Sequence, residues 1–448
     1  MQRSVEYPGR LRIFREFGNC GMHPQFAHLE QAPSGYQFHF SERGPEPTPA
    51  ERHGGIRQKL GRLRVGYRKG LVLLSSVCSL CHGAWRRGAS AKAIWKFLRT
   101  RGLKSQLMIE GRDEFVFLPS VPFTLNQFPW LIEIEDTTSF FFPFIHNGKT
   151  TDFDIHGADF FPIFKHLVES ENCRGIITHM QATAESIPKL FDNPALESKT
   201  HFVPLGIAAP PWDQVDRPNA GQHPIELLFT NSWHQAPGNF YLRGGLDVLE
   251  AYARIRESHP EARLTLRSQL PQDLDRRYLD IIERCGVRVL DRFLPAAEWE
   301  ALRRDADFYL LPSARIHVVS ILEAMAYGMA LICSDGWGIQ EYARDEHNAI
   351  VVKGRDDVAW IDPVTGLLKE DYASMRRSNP GIVDQIQQRV CDLIDDPSKR
   401  RALVLNARRD VDELFTIERW NRGLGRAFDA ACKTPTGFSA SETGGSAP

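Results

Sequence analysis

The chain has 448 residues, 42% of them hydrophobic and 25% charged, with a formal net charge of −1. That length exceeds one ordinary core and predicts two domains, within a soluble globular composition. A charge so near zero sets up no global field for nucleic acid, and none is expected as a partner.

No apolar run is long enough to span a membrane: Leu71 to Leu80 is short and broken by serines. The opening MQRSVEYPGRLRIFREFG has no apolar signal core. Together these predict a cytoplasmic protein and leave open a peripheral contact with the inner face of a membrane. A local excess of basic residues between Arg52 and Lys104 admits a phosphate- or membrane-facing surface, with a solvated face as the simpler reading. Six of the eight cysteines are scattered singly, as reduced structural thiols are. Cys78-Ser-Leu-Cys81-His82 matches a haem-attachment spacing, but lies in an apolar helix-like run without an export signal, so coincidence is preferred.

A strand at Leu11 to Phe14 leads to Gly18-Asn19-Cys20-Gly21 and a helix from Pro24 to Gln31. Gly18 and Gly21 are donor-site candidates, because backbone in such a turn can approach a phosphate or sugar. Tyr36 to Phe40 reads as a strand and Ser41 to Gly55 as a loop. A basic helical region includes Ala91 to Arg101, and strands recur at Gln106–Ile109, Phe115–Leu118, Trp130–Ile134, Gly175–Thr178 and His201–Leu205. The aperiodic, Pro- and Gly-rich segment 208–224 reads as a linker. It separates a first domain (1–207) from a second (225–432), and residues 433–448 have the composition of a disordered tail.

In the second domain, strands at Glu226–Thr230, Arg263–Leu266, Val287–Leu290 and Phe308–Leu311 alternate with helical segments, and Pro380–Ala431 reads as wholly helical. Asp307 to Glu341 gives strand, Pro312-Ser313, an irregular loop, a helix ended by Gly328, a strand at Ala330–Cys333, and the turn Asp335-Gly336-Trp337-Gly338 opening toward another helix. This is a βαβ pattern of the α/β class, in which ligands bind beyond the carboxyl ends of the strands.

These blocks resemble the C-terminal half of family 4 glycosyltransferases. Arg243-Gly244 stands where the family has Lys-Gly, followed by Asp247, Leu249, Ala251 and Tyr252. Pro312-Ser313, Glu323 and Asp335-Gly336-Trp337-Gly338-Ile339-Gln340-Glu341 follow in the family's order, and the likeness runs from Glu226 to Trp420. It implies the GT-B fold, with two Rossmann-like domains facing across a cleft. It also implies a retaining enzyme moving a hexose from a UDP-, GDP- or ADP-sugar to a glycan or lipid-linked acceptor, with no metal or other cofactor. In that frame Arg243 and Glu323 are the catalytic candidates, Arg243 for the diphosphate and Glu323 for the ribose hydroxyls. Ser313, Arg315, His317, Asp335, Gly336, Gly338 and Glu341 are the donor-binding ones.

Two departures stand out. The family's first Glu of the Glu-x7-Glu loop falls on Arg315, and Thr230-Asn231-Ser232-Trp233-His234 begins a longer loop to Arg243. Arg315 with His317 should change the donor sugar, demand an acidic one, or leave a non-catalytic nucleotide-sugar-binding protein. Glu135 and Asp136 stand where the family has His-Asp, with His146, His156 and His179 as further candidates near the sugar. An epimerase or phosphorylase would keep the fold, but no lysine of the second half sits in a pyridoxal phosphate context.

Overall fold

The computed structural model describes residues 2–8, 31–40, 56–145, 150–212, 224–231, 237–292 and 294–433, with side chains of the first helix from Tyr67 onward. Leu11–Phe14, Gly18, Gly21, the helix from Pro24, the Ser41–Gly55 loop, His146, most of the linker and the tail lie outside the described residues.

The first domain is built on β1 (Arg3–Tyr7), β2 (Tyr36–Phe40), β3 (Val116–Pro119), β4 (Trp130–Ile134), β5 (Cys173–Thr178) and β6 (Thr200–Phe202). These form one parallel sheet in the order β2-β1-β3-β4-β5-β6. Its helices are α1 (Ile56–Arg86), α2 (Ala91–Thr100), the single turn α3 (Leu103–Gln106), α4 (Phe161–Glu169) and α5 (Gln181–Leu190). The strand expected at Gln106–Ile109 is instead the end of α3 and the turn after it. Gln106 spends its side-chain amide on the carbonyls of Arg101 and Phe123, holding a corner and pairing with no strand.

The second domain carries β7 (Glu226–Thr230), α6 (Gly245–Ser258), β8 (Arg263–Arg267), α7 (Arg276–Arg284), β9 (Arg288–Val289), α8 (Ala296–Asp305), β10 (Phe308–Leu311), α9 (Val318–Ala326), β11 (Ala330–Ser334) and β12 (Ile350–Val352). Its parallel sheet runs β12-β11-β10-β7-β8-β9. This is the doubly wound order, and the direction of winding reverses between β7 and β10. Every residue of β10 and β11 is buried, so these strands read as uninterrupted apolar runs. Gly328, at φ 72°, lies just beyond α9 and ends it in the left-handed region.

A hairpin of β13 (Ala359–Ile361) and β14 (Leu368–Glu370) follows, then α10 (Pro380–Asp395), α11 (Pro397–Leu414) and α12 (Ile417–Lys433). The terminal helices were all expected in the second domain. The last one belongs elsewhere: α12 buries Trp420, Leu424, Ala427 and Phe428 against the first sheet. Phe428 packs edge-on against Tyr36 and Phe115, with ring centroids 5.1 and 5.0 Å away. The chain therefore crosses between domains twice, and the crossings run side by side. Ile207 N–H donates to Phe415 O at 2.9 Å, and a Cβ on Gly206 would stand 2.1 Å from Thr416 O.

The domains also touch around the cleft. Thr150 and Thr151 hydroxyls donate to Leu368 O and Glu370 O at 3.0 and 2.7 Å, and Leu368 N–H donates to Thr137 Oγ1 at 2.8 Å. The β13–β14 hairpin is thereby fastened to the first domain.

Candidate active site

The reversal between β7 and β10 brings together the segments after both strands and the starts of α6 and α9. Arg243 immediately precedes Gly244, whose φ of 77° turns the chain into α6. The Arg243 side chain is buried; its Nη1 donates to Thr230 O at 3.0 Å, at the end of β7, and to Ser320 Oγ at 3.3 Å, in the first turn of α9. Its Nε has no hydrogen-bond partner among the described residues. Burial lowers its pKa, as does the nearness of Arg315 and Arg267.

Arg267, the last residue of β8, reaches the same place, with Nη1 donating to Asn231 O at 2.9 Å. Its Nε and Asn231 Oδ1 are likewise buried without a hydrogen-bond partner among the described residues. Buried polar groups are normally satisfied. Two guanidinium edges and an amide oxygen left open beside each other, at the carboxyl edge of a parallel sheet, suit a polyanionic ligand carrying hydroxyls. Sequence reading found Arg243 but not Arg267 or Asn231. The only signal for Arg267 was an arginine ending an apolar strand.

Glu323 lies one turn beyond Ser320 on the same flank of α9, within the field of Arg267. Its Oε1 accepts from Arg303 Nη1 at 2.6 Å, and Arg303 also holds Glu300 and stacks over Tyr327 at 4.2 Å. Burial raises the Glu323 pKa, opposed by Arg303. One of the two oxygens expected for a ribose diol is thus already taken, leaving Oε2.

The loop after β10 is organised by the Gly-rich turn. Ile316 N–H donates to Trp337 O at 2.8 Å and Trp337 N–H to Ala314 O at 3.0 Å. A Cβ on Gly336 would lie 2.2 Å from Ser313 O, so glycine is what lets the two segments close. Ser313 Oγ donates to Leu242 O, and Ser334 Oγ to Ser313 O. The expected amide cradle is partly spent in this way: Asp335 N–H donates to Val352 O, and Asp335 Oδ1 accepts from Gly354 and Arg355 N–H at 3.0 and 2.7 Å. Asp335 braces the next loop. Gly338, at φ 78°, leads only into a short 3-10 turn, Ile339–Glu341, where a helix was expected.

Arg315 and His317 are both buried, with His317 just ahead of α9. Arg315 is held by carboxylates of both domains. Its Nη1 donates to Asp136 Oδ2 of the first domain at 3.0 Å, and its Nε lies 3.5 Å from Glu370 Oε1. Burial alone would lower its pKa, but Glu370, Asp136 and Glu135 outweigh that and raise it. Glu341 also crosses the cleft: its carboxylate accepts from Gln181 and Ala182 N–H at 2.5 and 3.0 Å, capping α5, where a negative charge is favoured.

On the first-domain wall, the fully buried His179 Nδ1 is 2.7 Å from Glu133 Oε1, its Nε2 is 3.8 Å from Glu135 Oε2, and its carbonyl accepts from Tyr342 OH. Of the two singled-out histidines among the described residues, His179 is the one at the cleft, whereas His156 bonds Leu190 O at the end of α5. Burial lowers the His179 pKa, but Glu133 and Glu135 more than reverse this, taking it from 6.5 to about 10. A raised pKa in the folded state contributes stability that is complete below about pH 6.5 and is lost as pH rises through about 10. Thermal unfolding between pH 6 and 10 should show this as a slope of at most about 1.4 kcal/mol per pH unit that His179→Gln abolishes. Parallel curves for the two proteins would refute it.

Residues 236–370 match the family model described as Glycosyl transferases group 1. No curated protein matches the chain. Among solved structures, a glycosyltransferase from Rickettsia africae is 11% identical, over 97% of this chain and 100% of that one, with a TM-score of 0.51. Anabaena HepE in complex with UDP-glucose is 12% identical, over 96% of this chain and 100% of that one, with a TM-score of 0.53. At such identities the likeness is one of fold, two facing parallel α/β domains.

Proposed function

We propose that this glycosyltransferase, a GT-B chain whose second domain is of the glycosyl transferases group 1 family, moves a hexose from a UDP-sugar to a hydroxyl of a glycan or lipid-linked acceptor with retention of configuration. GDP- and ADP-sugars are the other donors to try. The observation that carries the reading is the open guanidinium pair, Arg243 and Arg267, with Asn231 between them at the end of β7. The complex of the similarly folded HepE with UDP-glucose supports the choice of base.

As the glycosidic bond breaks, charge builds on the departing diphosphate. A fixed cation beside the starts of α6 and α9 stabilises that charge more in the transition state than in the ground state. In this reading the guanidinium groups do the work of a metal ion, and none is required. Glu323 Oε2 would hold a ribose hydroxyl. Glu135 and Asp136, on the opposite wall, would face the acceptor, and closure of the domains would exclude water. A lipid-linked acceptor would bring the protein to the cytoplasmic face of a membrane.

A non-catalytic donor-binding protein is the second reading, favoured by Arg315 being locked to Asp136 and Glu370 where the resembled family has a sugar-facing carboxylate. Incubating the full chain with UDP-, GDP- and ADP-hexoses, with glycan and lipid-linked acceptors, separates the two. Acceptor-dependent nucleotide release and an anomeric configuration unchanged from the donor are expected. Donor binding without turnover for any acceptor would establish the second reading instead.

A further inference from the structure

The outer helices of the first domain carry more apolar surface than they bury. On α1, Leu73, Val77, Leu80 and Ala84 recur at helical spacing and pack inward. Tyr67, Leu71, Leu74, Cys78 and Trp85 recur at the same spacing and form a second stripe, turned from the first by about 120° at about 100° per residue. That second stripe is uncovered: Tyr67 and Trp85 are each 68% exposed and Leu74 is 59% exposed. On α2, Ala93 and Phe97 are buried while Trp95 is 69% exposed. Trp85 and Trp95 line an open apolar groove of about 370 Å³ between the two helices, with Ile94 and Leu98 between them.

These helices are basic in sequence, although Lys69 and Arg87 pair with Glu110 and Glu169 at 3.9 and 3.2 Å. From Glu51 to Glu110 the chain has fourteen Lys or Arg and, between those two residues, no Asp or Glu, although the whole protein is at −1. Arg68, Arg86, Lys92, Lys96 and Arg99 are exposed around the apolar stripe.

We infer that this face of α1 and α2 docks the protein onto an anionic lipid bilayer. Tryptophan and tyrosine favour the headgroup level, leucine favours the acyl boundary, and lysine and arginine meet anionic headgroups. Large contiguous apolar patches on soluble proteins mark interaction sites. A nucleic acid would use the cations but gains little from Leu71, Val72 and Leu74. A second copy of the chain would press two basic faces together. The helices lie on the surface: among the described residues none is long and apolar enough to cross a membrane.

The inference stands on this surface alone and does not rest on the donor chemistry. Co-sedimentation of the full chain with phosphatidylcholine vesicles, with and without phosphatidylglycerol, tests it. Binding is expected to the anionic vesicles, weakening as salt rises, with a blue shift of tryptophan emission. Trp85→Ala with Trp95→Ala, both at exposed positions, should weaken binding by at least about tenfold, and so should Lys92→Glu with Arg99→Glu. Absence of vesicle binding, or unchanged binding by both double variants, would overturn the inference. So would a chain dimer or an RNA complex that these substitutions abolish while vesicle binding persists. Nucleotide release in solution, read on the same samples, reports the donor site separately.

Discussion

Arg315→Ala should destabilise the protein by about 3–5 kcal/mol, the cost of stranding buried charge when one partner of a buried ion pair is removed. Asp136 is 5% exposed and Glu370 is fully buried, and they lie on different domains. Without the guanidinium between them, two carboxylates face each other across a dry contact. Asp136 cannot turn away freely, because its Oδ1 already accepts from Thr138 N–H and Oγ1 at 2.7 and 2.5 Å. Glutamate at position 315, the residue the resembled family would place there, should do worse than alanine by adding a third carboxylate. Urea unfolding at neutral pH measures both. A midpoint for Arg315→Ala indistinguishable from that of the parent protein would remove the pair from the account of how the domains are held. Pairing Arg315→Met with Asp136→Asn and Glu370→Gln should recover part of the loss, since neutral groups need no cation.

For Arg243→Ala, the expected result is a fall in kcat of about 10²–10³, corresponding to about 2.7–4 kcal/mol of transition-state stabilisation, with a smaller change in KM. The split matters. A residue that only shapes the fold would lower the unfolding midpoint and leave kcat per folded molecule unchanged, whereas one aimed at the departing diphosphate lowers kcat directly. Arg243 has a structural share as well, because it ties the end of β7 to α9 through Thr230 O and Ser320 Oγ. Arg243→Lys keeps the charge but loses the fork and should fall between the two. An unchanged kcat in Arg243→Ala would take the arginine out of the reaction.

The second domain was largely legible in the sequence because its strands are short, wholly apolar and bounded by turn residues. β7 and β10 lie where their sequences place them. The first domain was harder. β1 reads RSVEY, a strand whose one buried carboxylate looks like surface until Glu110 and Gly111 N–H are found bonded to Glu6 at 2.7 and 2.9 Å. The apolar run at Gln106–Ile109 carried no periodicity to separate strand from turn. At the candidate site, residue types and spacing brought out Arg243 and Glu323, but no spacing rule says that Arg315 will find Asp136, 179 residues earlier. Pairings between domains are set by how the domains dock, which leaves no local pattern to read. Arg267 was passed over for the same reason, and His179 could be named only as one candidate of three: each owes its meaning to neighbours brought from elsewhere in the chain.

The return of the chain to the first domain bears on its synthesis. Phe38, Phe115 and Phe117 of the first sheet lie against Phe428, the latter two at ring-centroid distances of 5.0 and 5.3 Å. A chain emerging from the ribosome makes those three rings hundreds of residues before the helix that covers them. Domains ordinarily fold in the order in which they emerge. Here the first to appear is the last to be completed, and the second domain assembles while its partner still has one apolar face bare. Nascent chains stalled before Ile417 should therefore need a chaperone's cover on that face, and release it once α12 has emerged.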